Sequence, residues 1–187
     1  MASDPRPRIS PEEYLALERR AETKSEYLDG EIFARAGASR QHNRLNLNIA
    51  FALDSQLRTK GCEVYVSEMR VKVSATGLYT YPDVIAVCGE PRFEDAELDT
   101  LLNPTLIIEV LSKSTQDYDR GTKFLHYRAL ASLREYVLVA QDCIHVEHYL
   151  RQNDAWLLTE TDRREDTIEL SSVGARLSLA EVYDRVL

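Results

Sequence analysis

Two stretches, Tyr81-Pro82-Asp83-Val84-Ile85-Ala86-Val87-Cys88 and Asn103-Pro104-Thr105-Leu106-Ile107-Ile108-Glu109-Val110-Leu111-Ser112, decide the fold. Each holds an unbroken apolar run of strand length, the pattern of a central strand covered on both faces. Each also carries one carboxylate out of place: Asp83 opens its strand straight after a proline, and Glu109 interrupts its run from within. Burying an ionised carboxylate alone is costly, so such a group is paired, protonated or bound to a metal. Adjacent strands lie about 4.8 Å apart. In the matching register, both acids reach one divalent ion, and oxygen ligands with open positions suit Mg²⁺ or Mn²⁺. The alternative is a pair of strand-end acids meeting water or a basic residue.

Outward from these strands the chain alternates helix and strand signals. Ser10-Pro11-Glu12-Glu13 is a capping box opening a helix to about residue 20. Leu28-Asp29-Gly30-Glu31 is a type I′ hairpin turn, with a strand expected from Glu31 to about Ala36. Leu45, Ile49, Leu53 and Leu57 recur every four residues and predict a long helix over 39–60, stopped by Gly61. Residues 63–73 read as one strand whose apolar phase changes near Ser67, as at a bulge, and 79–88 as a second. Residues 89–104 read as an acidic, solvated loop. A helix is expected over about 117–131, a strand at 135–140, and a hairpin joining 144–150 to 155–161. A second capping box, Ser178 to Glu181, opens a short final helix. Helix, strands, helix and strand in this order give an α/β or α+β domain with a mixed sheet between helices.

The chain has 187 residues, about one domain by size, expected over 10–187 after a loose arm at 1–9. A net charge of −8 speaks against coating nucleic acid or membrane by bulk electrostatics, but leaves room for a nucleic-acid enzyme with local positive groups. Cys62, Cys88 and Cys143 are odd in number and far apart, so no disulfide framework is expected and a reducing, cytoplasmic setting is. No signal-peptide pattern and no apolar run of ~18 residues is visible.

The helix after Glu109 brings further chemistry. Asp119, Lys123 and Tyr127 stand at i, i+4 and i+8, on one face, and a lysine there can approach the two acids; the plain alternative is a surface Asp119–Lys123 pair. Glu31 is either a third acid for the site or a solvated turn residue. His42, in the first turn of the long helix, either orients water or phosphate or is a packed histidine. Arg35, Arg40 and Arg44 flank the cleft and could meet phosphate. Cys143, His145 and His148 do not share a strand face, which argues against zinc. No P-loop, GxGxxG or Ser-His-Asp arrangement is present.

Tyr81-Pro82-Asp83-Val84, Asn103 to Ser112, and Asp119-Arg120-Gly121-Thr122-Lys123 with Tyr127 resemble the Uma2 family, within the PD-(D/E)xK nuclease superfamily. Glu26-Tyr27-Leu28-Asp29-Gly30-Glu31, His42 and Leu133-Arg134-Glu135-Tyr136-Val137-Leu138-Val139 extend the resemblance along residues 10–187. It implies a restriction-endonuclease-like αβββαβ core with an added C-terminal hairpin. It implies Asp83, Glu109, Lys123 and Glu31 as catalytic residues. Asp83, Glu109 and the Val110 carbonyl would hold Mg²⁺ or Mn²⁺, with His42, Arg40, Arg44 and Tyr127 at the substrate. The superfamily's lysine two residues after the second acid is Leu111 here, and the resemblance moves its role to Lys123. The implied reaction is metal-assisted hydrolysis of DNA, by analogy as a homodimer. A non-catalytic binding or assembly module of the same fold, and a phosphoesterase of small substrates, are the other readings.

Overall fold

The computed structural model describes residues 8–35 and 37–187. Helix α1 (Pro11–Glu18) is entered through the expected capping box, with Ser10 and Glu13 bonded reciprocally. Most of the expected arm, and the end of the first hairpin at Ala36, lie outside the described residues. Ile9 is not loose: its N–H donates to Gly30 O at 3.3 Å, and its carbonyl accepts from the Tyr27 hydroxyl. Strands β1 (Ser25–Leu28) and β2 (Glu31–Ala34) form the hairpin around Asp29 and Gly30. Both turn residues have positive φ, 49° and 87°, which is what the type I′ turn requires.

Helix α2 (Arg40–Leu57) starts at Ser39, whose hydroxyl accepts from His42 N. The expected strand over 63–73 is two strands. β3 (Cys62–Val66) and β4 (Arg70–Val73) belong to different sheets, parted at Ser67, which has φ 32°. The phase change in the sequence therefore marks a change of sheet. The next segment does the same: β5 (Leu78–Thr80) lies with β4, and β6 (Val84–Cys88) lies with β3. Pro82 stands at that joint, where a residue without an N–H breaks no ladder. The two crossings are tied by Ser67 N–H to Asp83 O at 3.0 Å.

The 89–104 segment is more ordered than a solvated loop. It holds β7 (Thr100–Leu101), parallel to β4, and three of its five acids are paired. Arg19 holds Asp95 and Asp99, buried Arg70 holds Asp99, and Lys72 holds Glu94. β8 (Leu106–Leu111) is antiparallel to β6 and parallel to β9 (Glu135–Ala140); β10 (Val146–Gln152) and β11 (Ala155–Thr161) continue that sheet. The orders are β2-β1-β5-β4-β7 and β11-β10-β9-β8-β6-β3.

A hairpin of β12 (Thr167–Leu170) and β13 (Ala175–Ser178), absent from the sequence reading, precedes α5 (Leu179–Val182). The second capping box does not form: Ser178 makes no side-chain cap bond. The alternation Ile168, Leu170 and Ala175, Leu177 around Gly174 was the signal for this hairpin. Those four side chains, with Leu45, Ile49, Leu53 and Leu57, cover one face of the six-stranded sheet. Val71, Val73, Leu78 and Leu101 of the smaller sheet cover the other, against Ile85, Val87, Ile107 and Leu111. Cys62 and Cys88 face each other across β3 and β6 and are disulfide-bonded, one bridge where no disulfide framework was expected; Cys143 is free and exposed. No helix of the described residues is long and apolar enough to cross a membrane.

Ile49 of α2 is fully buried in the cluster that joins α2 to the six-stranded sheet and to the β12–β13 hairpin. Ile49→Ala should cost about 2–5 kcal/mol in urea unfolding; a loss below about 1 kcal/mol would contradict this layering.

Candidate active site

Along β8 the side chains alternate. Ile108 and Val110 face α2, whereas Ile107 and Leu111 face the smaller sheet. Glu109 shares the second face, under the helical segment that follows β8. That segment is not the regular helix expected. It consists of α3 (Gln116–Tyr118), a π-helical turn over Asp119–Lys123, and α4 (Phe124–Tyr127). A π turn inside a helix often marks a functional site, and this one carries both Asp119 and Lys123.

Four carboxylates and one ammonium meet here. Glu26, Asp83, Glu109, Asp119 and Lys123 are all buried, between 3% and 8% exposed. Lys123 Nζ lies 2.8 Å from Glu109 Oε1, 3.6 Å from Glu26 Oε1 and 3.7 Å from Asp119 Oδ1. The Tyr127 hydroxyl donates to Glu109 Oε1 at 2.8 Å, and Asp83 N–H approaches Glu109 Oε2 at 3.3 Å. Asp83 accepts from Val110 N–H on Oδ2 (2.8 Å) and is 2.8 Å from His42 Nε2 on Oδ1. Arg35 stands 3.9 Å from the same Oδ1. The two acids are thus joined through backbone: the Asp83 N–H points at Glu109, and the N–H of Val110, next in the chain after Glu109, points at Asp83.

Their environments push them apart. Burial raises Asp83, but the His42 hydrogen bond, with Val110 N–H and Lys123, outweighs it and holds the carboxyl below its ordinary range. Burial raises Glu109 to about 8, aided by the charges of Asp83 and Asp119 and opposed by Lys123. Burial opposes the charge on Lys123 too, but Glu109, Glu26 and Asp119 together lift it well above the ordinary lysine value. Asp119 is raised, mainly by burial. Splitting of this kind gives carboxylates of one site different protonation states at neutral pH.

The donor set fits a hard divalent cation. Carboxylates outnumber the one buried ammonium, with His42 and Arg35 only at the Asp83 edge. Asn46 Oδ1 is buried without a hydrogen-bond partner, while its amide nitrogen reaches Asp83 Oδ1 and Ser67 Oγ at 3.4 and 3.3 Å. Among the described residues, no three Asp, Glu, His or Cys side chains converge as a complete cage. An ion here would rest on two carboxylates, with a backbone carbonyl, water or phosphate completing its shell, as Mg²⁺ commonly does.

Asp83, Glu109, Lys123, Val110, His42 and Tyr127 are therefore brought together, though not all as expected. Val110 enters through its N–H, donated to Asp83. Tyr127 is fully buried and holds Glu109, so it does not face a substrate. His42 holds Asp83. Glu31 lies on the exposed strand β2, opposite Leu28 in the hairpin, outside this cluster. The acid that the hairpin contributes is Glu26, held by the Thr80 hydroxyl at 2.5 Å. Arg40 and Arg44 turn to the C-terminal segment, reaching Arg185 O and Asp184. Leu111 is buried in the core, so the lysine's usual place is apolar. Sequence reading missed Asn46, one helical turn after His42, and Glu26, an acid in a strand covered on both faces.

The family model described as "Putative restriction endonuclease", Uma2, matches residues 11–180. The chain is 42% identical to uncharacterized protein sll1609 of Synechocystis sp. over 160 residues, 85% of this chain and 90% of that one. It is 34% identical to uncharacterized protein slr1290 of the same organism over 181 residues, 97% of this chain and 94% of that one. The crystal structure of a putative nuclease belonging to DUF820 from Anabaena variabilis superposes with a TM-score of 0.77 at 19% identity, covering 96% of this chain and 99% of that one. This last likeness establishes a shared fold. The family match runs through every element that contributes to the acid–lysine cluster, and the chain belongs to the Uma2 family.

Proposed function

We propose that the protein is a metal-dependent endonuclease that hydrolyses DNA phosphodiester bonds at this cluster. The observation that carries the reading is Lys123 Nζ at 2.8 Å from Glu109, with Glu109 joined to Asp83 through the Asp83 N–H. That is two carboxylates on neighbouring strands and an amine, delivered from the next helix. Asp83 and Glu109, with the Val110 carbonyl, would hold Mg²⁺ or Mn²⁺. When bound, such an ion lowers the pKa of a water and offsets phosphate charge. His42, Val110 N–H and Asn46 keep Asp83 ionised and oriented. Tyr127 fixes Glu109. Lys123 presents a permanent positive charge, preorganised to stabilise negative charge developing on phosphate oxygens. Glu26 and Asp119 hold the ammonium in place from its other sides. Cutting both strands of a duplex would call for two copies, so a homodimer belongs to the same reading.

Nicking of supercoiled plasmid in Mg²⁺ or Mn²⁺ is the direct assay. Asp83→Asn, Glu109→Gln and Lys123→Met should each lower the rate by ~10²–10³ while the variants remain folded by circular dichroism. Full activity in a folded Asp83→Asn protein would contradict the assignment. No metal-dependent cleavage by the parent protein on diverse DNA would favour the non-catalytic module.

The raised Glu109 pKa has a consequence for stability in chelator. The folded state holds the Glu109 proton up to about pH 8, whereas the unfolded chain releases it near 4.5. Between those values the folded state binds more protons, so stability falls as pH rises. Urea unfolding in EDTA at several pH values should show this decline, on the order of a few kcal/mol in total. Glu109→Gln should remove most of the decline; an unchanged slope in that variant would contradict the protonation reading.

A further inference from the structure

Tyr127 turns inward from α4, and the next residue, Arg128, is exposed on the other side. There a hollow of about 380 Å³ lies between α4 and the turn joining β10 to β11, lined by Leu125, Arg128, Arg151, Asp154 and Trp156, among others. The Arg151 guanidinium sits over the Trp156 ring, 4.7 Å from its centroid, and that of Arg128 over Phe124 at 5.5 Å. Arg151 is further fixed by donating to Arg128 O at 2.6 Å, and its backbone N–H donates to Arg134 O at 2.8 Å. Yet Arg151 Nε is buried without an acceptor. Burial and the nearby charge of Arg134 both weigh against its protonated form, with Asp154 in opposition.

Three guanidinium groups thus gather in a chain of net charge −8. Among the described residues, Arg19, Arg35, Arg44, Arg58, Arg70, Arg120, Arg163, Arg176 and Arg185 all have a carboxylate within ion-pair distance. Arg128, Arg134 and Arg151 have none there, as is also true of Arg20, Arg40, Arg92 and Arg164, but at this hollow two such arginines share one lining. A guanidinium is a planar fork of donors that phosphate matches in pairs of hydrogen bonds; Arg128 spends none of its side-chain donors among the described residues, and Arg151, with Nη2 on Arg128 O, keeps Nη1 for such a contact. The hollow's volume lies within the range of small-ligand sites, about 300–1,000 Å³, so there is room for a sugar or base beside the phosphate.

We propose that this hollow is a phosphate-binding site in which Arg128 and Arg151 grip a phosphate group, carried either by a free phosphate ester or by the backbone of DNA. The site is separate from the carboxylate cluster and stands whether or not that cluster cleaves anything.

Trp156 is the chain's only tryptophan, so its fluorescence reports on this hollow alone. The protein, in EDTA and at low salt, is titrated in three arms: inorganic phosphate, 2-deoxyribose 5-phosphate and a short duplex DNA. Trp156 emission is followed, with calorimetry in parallel. The expected result is saturable binding with an emission change, weakened by about tenfold or more in Arg128→Gln, the loss of one charge-assisted hydrogen bond. Arg151→Lys, which keeps charge and loses the fork, should weaken it as well. Response to the small phosphates identifies a free ester as the source, and response to duplex alone identifies the DNA backbone. The proposal is overturned if no arm gives saturable binding with an emission change. It is equally overturned if Arg128→Gln, with an unchanged thermal midpoint, binds as the parent does.

Discussion

Glu109 is an ionisable group in the middle of a strand whose every residue is buried, and much of the surrounding structure answers that one constraint. The helical segment after β8 loosens into a π turn where Lys123 meets the carboxylate. Tyr127, one turn on, gives up its hydroxyl to the same oxygen. The strand on the other side begins so that the backbone N–H of the residue before it points at the second oxygen. Replacing such a cluster with well-packed apolar residues is often neutral or stabilising, whereas removing one partner costs about 3–5 kcal/mol. Stability is therefore a poor reason for the cluster to exist, and chemistry is a better one.

The second acid depends on the fold in a different way. Asp83 is placed by a chain that leaves one sheet at Thr80 and enters the other at Val84, beside the matching crossing at Ser67. These paired crossings open the edge between the sheets. There α2 delivers His42 and Asn46 to Asp83, and the first hairpin delivers Glu26 to Lys123. The Cys62–Cys88 bridge closes the far end of the same β3–β6 pair. The site is thus assembled from five regions of the chain, the first hairpin, α2, the crossing at Asp83, β8 and the helical segment after it, and none carries more than three of its residues.

That dispersal explains what the sequence disclosed. Asp83 and Glu109 were legible because a carboxylate in an apolar run violates burial rules locally. Lys123 and Tyr127 were legible from helical spacing, although the π turn was not, since it depends on what the segment packs against. The long helix, the first hairpin and the helix–strands–helix–strand order followed from periodicity and turn chemistry. The sheet changes at Ser67 and Tyr81 did not, because a kink and a crossing leave the same local pattern. Glu26 and Glu31 sit in one short motif, and only tertiary packing decides that Glu26 points inward. Arg40 and Arg44 looked available for phosphate until the C-terminal segment occupied their side of α2. Cys62 and Cys88 become partners only through strand register, which spacing does not encode.

Asp83 and Glu109 are proposed to hold one divalent ion together. Calorimetric titration of Mn²⁺ into the purified protein, alone and with duplex DNA, tests it against the Asp83→Asn/Glu109→Gln double variant. The expected result is one ion site per chain, present in the parent and lost in the folded double variant. Absence of binding in the parent under both conditions, or equal binding in the double variant, would contradict it.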